Sequence, residues 1–466
     1  MRFYDTLTRE VAEFVPLVPG KVTMYTCGPT VYRYAHIGNL RTFITADLLR
    51  RVLEFEGNEV RQVTNITDVG HMTDEVGDEG EDRMLVGAED EGLTPEEIAH
   101  KYTEAYLADT AAVNIQESAV RPKATEHIAE MIELTQRLID KGHAYEADGM
   151  VYFDVDSFPE YGKLSHNTRE SLKAGHRSET VIDPRRKNHY DFTLWRAAGS
   201  KRLMKWDSPW GPGFPGWHIE CSAMSLKHLG ERFDIHTGGS DNIFPHHEDE
   251  IAQSEGALGH PVVSRWLHGH HLLAEGRKMS KSAQNFYTVR DLTERGVDPL
   301  AFRYLCLQSR YRGQMNFTWE ALDAAERGLE KLRKQMAEWV SPPITEVSSA
   351  GQTLDQRFGD AVGDDLDTPK ALVAVSDLVA ADIAPGEKFH LLKRWDSVLG
   401  LDLDREVAGT SDLPPGAAAL IEEREEARRA KDWTKADRLR AELAEMGVTL
   451  IDTPTGPHWT IQRERP

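Results

Sequence analysis

Lys21-Val22-Thr23-Met24-Tyr25-Thr26 is a β-prone run, and Cys27-Gly28-Pro29-Thr30 follows it as a turn signal. Over residues 39–55 the apolar side chains Leu40, Phe43, Ile44, Leu48, Leu49, Val52 and Leu53 recur at helical spacing, which predicts a helix beginning near His36 with one face packed on a sheet. A second β-like run from Glu59 ends at Asn65-Ile66-Thr67-Asp68. Thr94-Pro95-Glu96-Glu97 then supplies a cap and a proline start for a long helix reaching about Val113. Residues 114–205 change character, with a helix expected over 124–141, a strand over 150–155 and a basic stretch at Arg185-Arg186-Lys187. Beyond residue 287 the pattern turns helical at 298–311, 318–340, 368–379 and 388–399, with Pro342-Pro343 as a break. Residues 422–446 alternate Arg424, Arg428, Arg429, Lys431, Lys435, Arg438 and Arg440 with almost as many acids, the signature of a salt-bridged helix pair.

The expected fold is therefore α/β: a Rossmann-type parallel-sheet core split into 1–113 and 206–287 by an insertion at 114–205, then a helical bundle over 288–407 and a small C-terminal module over 408–466. With 466 residues and 40% hydrophobic content the chain can fill two or three cores. Three cysteines argue against a disulfide framework, and the lack of a signal peptide or long apolar run points to a cytoplasmic protein with no membrane segment. The net charge of −22 opposes nucleic-acid binding at long range, where salt screens it, and leaves local basic tracks to govern any contact surface.

Two short motifs suggest phosphate chemistry. His36-Ile37-Gly38-Asn39 stands where the first helix should begin, and a helix N-terminus offers unpaired amides and a positive dipole. Gly38 removes the side chain that would hold a ligand away, and His36 can donate to developing charge. Far downstream, Lys278-Met279-Ser280-Lys281-Ser282 offers two cations and two hydroxyls on a loop, with Lys281 suited to a transferring phosphate. Gly-Pro-Gly-Phe-Pro-Gly at 211–216 formally matches G-x-G-x-x-G, but its two prolines are expected to prevent a strand-to-helix passage.

The paired motifs resemble those of class I aminoacyl-tRNA synthetases, which flank ATP in a dinucleotide-type domain. Asn39 stands where many members carry a second histidine, and Gln284 where glycine is frequent. The resemblance places the nucleoside near Asp234-Ile235-His236-Thr237-Gly238-Gly239-Ser240-Asp241, with Thr237 replacing a usual glycine and Asp241 able to accept from ribose hydroxyls.

A second constellation suggests a metal. In Phe244-Pro245-His246-His247-Glu248-Asp249-Glu250, Pro245 suits a first helical position, and His246 and Glu250 lie four apart on one helix face. His247, three before Glu250, shares that face. Cys27 ends the first strand, and Cys221 lies in Gly216-Trp217-His218-Ile219-Glu220-Cys221. Together with C-G-P-T-V-Y, G-W-H-I-E-C-S-A-M and F-P-H-H-E, these features resemble the cysteinyl-tRNA synthetases over essentially the whole chain. That resemblance implies one zinc per chain on Cys27, Cys221, His246 and Glu250, cysteine beside Gly28, Thr67 and Trp217, Mg²⁺ accompanying ATP, and tRNA(Cys) as the acceptor of cysteine from an adenylate. It also implies that the insertion meets the tRNA acceptor end and that a C-terminal anticodon-binding module carries Trp433 and Trp459 as stacking surfaces. A monomer is expected. Two alternatives are a mycothiol-pathway ligase joining cysteine to an aminosugar, which the C-terminal module disfavours, and a non-catalytic RNA-binding paralogue, which intact His36 and Lys281 disfavour.

Overall fold

In the computed structural model the β-prone run is strand β1 (Lys21–Thr26), the periodic run is helix α1 (Ile37–Phe55), and β2 (Glu59–Thr64) pairs parallel to β1. The structure describes residues 1–74, 79–168, 183–199, 202–279, 285–340, 346–405, 413–414, 416–430, 432–453 and 456–461. After the insertion, α2 (Trp217–Leu229) leads to β3 (Phe233–Gly239), and α3 (Glu248–Leu258) leads to β4 (Val263–Gly269). The four strands form one parallel sheet in the order β4-β3-β1-β2. Every residue of β3 is buried, as helices on both faces of a parallel sheet require. Because the chain runs outward in one direction from β1 and in the other from β3, a crevice opens beyond their C-terminal ends. Cys27 sits at that mouth, its N–H donating to the Thr237 carbonyl across it (3.1 Å).

The insertion contributes a separate antiparallel sheet from Ala144–Ala147, Met150–Phe153, Phe192–Ala197 and Gly213–Pro215. Its last strand lies beyond residue 206, where a return to the core was expected, and it runs straight into α2. The prolines at 212 and 215 thus do not prevent a strand-to-helix passage. Gly213–Pro215 is an edge strand, where a missing N–H costs no ladder bond. Gly216 caps α2, and a Cβ there would collide with the Thr193 carbonyl. The helix expected over 124–141 is broken into a 3₁₀ turn (Ala124–Glu126) and Ile128–Asp140, because His127 leaves helical dihedrals and its Nδ1 bonds the Lys123 carbonyl (2.8 Å).

The C-terminal half is helical at Pro299–Leu307, Trp319–Glu338, Thr368–Ala380 and Pro385–Leu399, with the first ending sooner than the 298–311 pattern suggested. A further helix, Ser349–Gly363, was not evident in the pattern. Its polar and glycine residues carry little helical signal, and a Ser348 cap and the buried Leu354 and Phe358 hold it. One continuous core joins Val22, Met24, Leu49 and Val52 of the parallel sheet and α1 to Phe358, Leu378 and Trp395 of the bundle. Helices Ala417–Arg429 and Trp433–Glu445 and the hairpin Val448–Thr453/Gly456–Ile461 form a smaller unit around Ile421, Leu443 and Val448.

A buried ionic node ties α1 to the helices. Arg303 has no exposed surface and donates to Asp47 (2.6 Å) and to the carbonyls of Leu399, Val113 and Asn114. Arg51 donates to the same carboxylate oxygen (2.7 Å) and to Ser397 O, while the Gln116 N–H reaches the other oxygen (2.8 Å). Burial alone would raise the Asp47 carboxyl, but the two guanidiniums hold it below its ordinary range. A depressed carboxylate contributes stability above its unfolded pKa and loses it as pH falls through the folded value. Asp47→Ala, which strands two buried cations, should cost about 3–5 kcal/mol in urea unfolding at neutral pH. A loss below about 1 kcal/mol would show that the node is solvated.

Candidate active site

At the upper rim of the crevice His36 caps α1. Its Nδ1 accepts from the Asn39 N–H (3.1 Å), and the Asn39 side chain accepts from the His36 N–H (3.2 Å), a reciprocal capping box. Asn39 thus uses its side chain to close the helix start. With Nδ1 accepting, the His36 proton belongs on Nε2, leaving one outward donor. Burial first and Arg33 second lower this imidazole to about 4, so it stays neutral at physiological pH. A Cβ on Gly38 would collide with the Met279 methyl, so the two phosphate motifs are in direct contact.

Lys278 is exposed at the end of the short strand Arg277–Lys278, and Lys281, Ser282 and Gln284 lie outside the described residues. Asn285 braces the start of that loop by donating to the carbonyls of Ala274 (3.0 Å) and Lys278 (3.2 Å). No spacing signal marked this asparagine in the sequence. Across the crevice Gly239 ends β3, its N–H bonded to Asn242 (2.9 Å), and a side chain there would strike the Asp241 carboxylate. Asp241 is exposed and near enough for its charge to act on His36. The Thr237 hydroxyl turns into the sheet to Thr26 Oγ1 (2.9 Å).

The floor holds Cys27, Cys221, His246 and Glu250, all buried, with one donor atom from each lying within 4.8 Å of the others. The two sulfurs are 3.9 Å apart, Glu250 Oε1 is 3.7 Å from Cys27 Sγ, and His246 Nε2 is 3.0 Å from the same oxygen. Burial pushes the Cys27 thiol well above its ordinary range, with Cys221 and Glu250 adding to the shift. Burial likewise opposes the Glu250 charge, yet His236 and His246 hold that carboxyl down to about 2. Two S, one N and one O donor this close suit a borderline-soft divalent ion such as zinc, on whose binding both thiols would ionise.

Pro245 does not begin a regular helix. Ile243–His247 forms a wide turn in which Phe244 leaves helical dihedrals, and α3 starts at Glu248. His246 still reaches Glu250 from that turn. His247 belongs to a second possible set with Cys27, His236 and Glu250. Its Nε2 lies 3.2 Å from Cys27 Sγ, its Nδ1 pairs with His268 Nε2 (2.7 Å), and His268 Nδ1 meets Thr6 Oγ1 (2.7 Å). Burial lowers both rings, so each is neutral. A proton run from Thr6 through His268 satisfies both rings and leaves the His247 Nε2–H donating to the Cys27 sulfur. His246 is supported in the same way by His218 (2.9 Å between Nδ1 atoms), whose Nε2 faces Asp249 (3.4 Å).

Thr67, Gly28 and Trp217 converge beside this floor. Trp217 stacks on His246 with ring centroids 4.4 Å apart. Gly28 lies against the Asn65 backbone, where a Cβ would collide with the carbonyl, and its N–H donates to Asn65 Oδ1 (2.8 Å). Thr67 Oγ1 lies between Asn65 and the buried Glu220, two residues that sequence reasoning did not single out.

The family profile described as "tRNA synthetases class I (C) catalytic domain" matches residues 13–327, and that of the "Cysteinyl-tRNA ligase anticodon binding domain" matches residues 410–459. The cysteine–tRNA ligase of Thermus thermophilus is 46% identical over 482 residues, covering 99% of both chains. The cysteine–tRNA ligase 1 of Burkholderia lata is 46% identical over 98% of this chain and 96% of its own. The chain belongs to the cysteine–tRNA ligase family. As a class I synthetase it is an enzyme, and its fold is shared with the methionyl-tRNA synthetase of Mycobacterium tuberculosis bound by methionyl-adenylate, at TM-score 0.56 and 16% identity over 83% of this chain and 89% of that one.

In this ligase the C-terminal unit exposes Trp433, 59% accessible. The Trp459 side chain lies outside the described residues. Arg424 is buried and paired with Glu425 (2.7 Å), and Lys435 pairs with Glu423 (2.8 Å). The second pair crosses from one helix to the other, as the salt-bridged helix pair expected over 422–446 implies. Among the described residues no helix is long and apolar enough to cross a membrane.

The floor predicts its own metal behaviour. Purified protein should hold about one zinc per chain, and affinity should fall as pH drops because thiolates, imidazole and carboxylate must all be deprotonated to bind. Cys221→Ser should lower zinc content well below one per chain by elemental analysis while leaving the circular dichroism spectrum intact. Full zinc occupancy in that variant would remove Cys221 from the ligand set.

Proposed function

We propose that this ligase activates L-cysteine with ATP and transfers it to the 3′ end of tRNA(Cys), with the buried floor selecting the substrate thiol. The observation that carries this reading is a two-thiol, imidazole and carboxylate cluster lying below a capped helix N-terminus at the sheet's switch point. Cys27, Cys221, His246 and Glu250 would hold zinc, which when bound supplies a soft Lewis acid that favours a thiolate over an alcohol. Serine and cysteine differ little in size, and an apolar pocket separates such pairs by only about 10²-fold. Donor chemistry discriminates where shape does not.

With the thiol on the floor, the substrate carboxylate points toward the α1 terminus and ATP. One carboxylate oxygen attacks the α-phosphorus, the bond to the β-phosphate bridging oxygen breaks, and pyrophosphate leaves. His36 Nε2–H and the α1 amides face the charge that develops, Gly38 permits the approach, and Lys278 and Lys281 add cationic charge from the loop. Gly239 and Asp241 suit the nucleoside, Asp241 as an acceptor for ribose hydroxyls, and Ser282 suits a phosphate oxygen. Mg²⁺ would accompany ATP and neutralise its phosphates. In the second step a terminal ribose hydroxyl attacks the adenylate carbonyl and AMP leaves. The division of labour proposed along the chain is activation on 1–113 and 206–287, acceptor-end contact on 114–205, stem contact over 288–407 and anticodon contact from 408 onward, where exposed Trp433 can stack on a base.

Cysteine-dependent pyrophosphate exchange tests this directly. Exchange should proceed without tRNA and prefer cysteine to serine by well over about 10²-fold in kcat/KM, beyond what a size filter gives. Equal use of serine would overturn the thiol-selecting floor. Lys281→Ala should lower the adenylation rate by about 10²–10³-fold with little change in cysteine KM, and equal losses in both would mark a structural role. A chain ending near residue 412 should keep exchange but charge tRNA poorly. Undiminished charging would remove the anticodon assignment, and no charging of any tRNA by the intact chain would redirect the reading to another acceptor for cysteine.

A further inference from the structure

We propose that Arg41 is a positioning residue for adenylate formation: its guanidinium fastens helix α1, whose first turn is the phosphate end of the site, to the small sheet that carries Lys278 and leads into Lys281. The inference rests on the adenylating reading above and concerns a residue that lies outside both the metal floor and the two phosphate motifs.

Arg41 is buried just past the first turn of α1. One of its terminal nitrogens donates to the carbonyls of His270 (2.8 Å) and His271 (2.9 Å), the other to those of Arg310 (3.2 Å) and Gly313 (2.6 Å). These carbonyls belong to two segments far apart in the chain that enter one sheet side by side. His270 and His271 precede the strand Leu272–Ala274, and Arg310 to Gly313 lead toward the strand Met315–Phe317, which pairs parallel to it. On its other edge Leu272–Ala274 pairs antiparallel with Arg277–Lys278, where the lysine motif begins. One planar fork therefore holds the entry of both parallel strands against α1.

The far end of the same sheet also returns to α1. Met279 directly follows Lys278, and its methyl lies within 2.5 Å of where a Cβ on Gly38 would stand. The lysine-bearing sheet thus meets α1 at two points, Arg41 at its base and Gly38 at its tip. Two points fix a direction where one would leave a pivot.

The partners of Arg41 show that its geometry is what matters. The buried guanidiniums of Arg303 and Arg51 share the Asp47 carboxylate. Among the described residues Arg41 has no carboxylate within ion-pair distance and is held by neutral carbonyls. Burying a cation without a counter-charge is unfavourable, and an apolar side chain of similar volume would avoid that cost. Four directed hydrogen bonds offset it, and their effect is a fixed spacing between the two phosphate motifs. Adenylate formation depends on that spacing, because charge from α1 and from the lysine loop must converge on one α-phosphorus, and a misplacement of about 1 Å can lower a rate by about 10²-fold.

The test uses full-length, zinc-loaded protein in cysteine-dependent pyrophosphate exchange. Arg41→Lys keeps the positive charge but has three donors and no fork, so it cannot hold four carbonyls at once. It should lower kcat by about 10-fold to 10²-fold, with the KM for cysteine and the zinc content unchanged. The decisive readout is the double variant. Because Arg41 acts through the lysine loop, adding Arg41→Lys to Lys281→Ala should lower the rate by less than about threefold further, whereas independent effects would multiply. Full multiplication of the two losses would overturn the proposal, as would an unchanged kcat in Arg41→Lys or a loss carried mainly by the cysteine KM. If Arg41→Lys does not fold at the assay temperature, Arg41→Gln is read in the same cycle, and failure of both to fold would overturn the proposal by giving Arg41 a structural role alone. Wild type without cysteine-dependent exchange would instead overturn the adenylating reading itself, and an undiminished rate in Lys281→Ala would overturn the lysine-loop reading and this proposal with it.

Discussion

The active site depends on one electrostatic constraint: two thiols and a carboxylate must share a buried space without solvent to screen them. Left to themselves these groups resist ionising together, as the raised Cys27 thiol shows. On the proposed reading a divalent cation would resolve the conflict, and the surrounding architecture holds four donor atoms within 4.8 Å of one another. Cys27 comes from the end of β1, Cys221 from α2, and His246 and Glu250 from the turn and first helical residues after β3. Only a parallel sheet with its switch point here brings those ends together. The histidines beneath follow from the same need. His218, His247 and His268 are kept neutral by burial, so they orient the donors without adding charge that would compete with a metal.

Helix α1 links this floor to the rest of the molecule. Its first turn is closed by His36 and Asn39 and meets Met279 through Gly38, while its middle carries Asp47 into the ionic node with Arg303 and Arg51. One rigid rod therefore sets the phosphate end of the site and the docking of the helical bundle. The rod is about nineteen residues long, near 28 Å at 1.5 Å per residue. The node and the capped end are thus fixed relative to each other by one continuous helix.

How much of this was legible in the sequence depended on whether a residue's role is local. The run at residues 39–55 and the helix at 318–340 were readable because apolar spacing decides them, and Thr94 with Glu97 forms the reciprocal cap its spacing implied. The phosphate motifs and the cysteine, histidine and glutamate spacing stood out because their chemistry is unusual in a short stretch. Asn65, Glu220 and Asn285 did not, since an ordinary polar residue acquires its role only from partners far along the chain. Arg424 shows the same limit: its charge and its place in a salt-bridged helix pair are visible in sequence, but its burial is not. Pro245 and the 211–216 glycines misled through rules for isolated elements. A distorted turn precedes α3, and an edge strand tolerates prolines that a central strand would refuse.

The insertion completes the argument about selectivity. Its helix and sheet do not form a core of their own. Leu134, Phe153, Phe192 and Trp195 pack in one cluster with Cys27, Tyr25, Cys221 and Ile251, so the segment walls the floor against water. A dry wall matters twice, because low dielectric strengthens every interaction among the floor donors and because water is the competing ligand for any cation held there. Residues that close the site in this way are poorly placed to form an independent second site for rejecting wrong products. On the proposed reading, selection is then made where the amino acid first binds, at the donors of the floor, because donor chemistry separates a thiol from an alcohol where size does not.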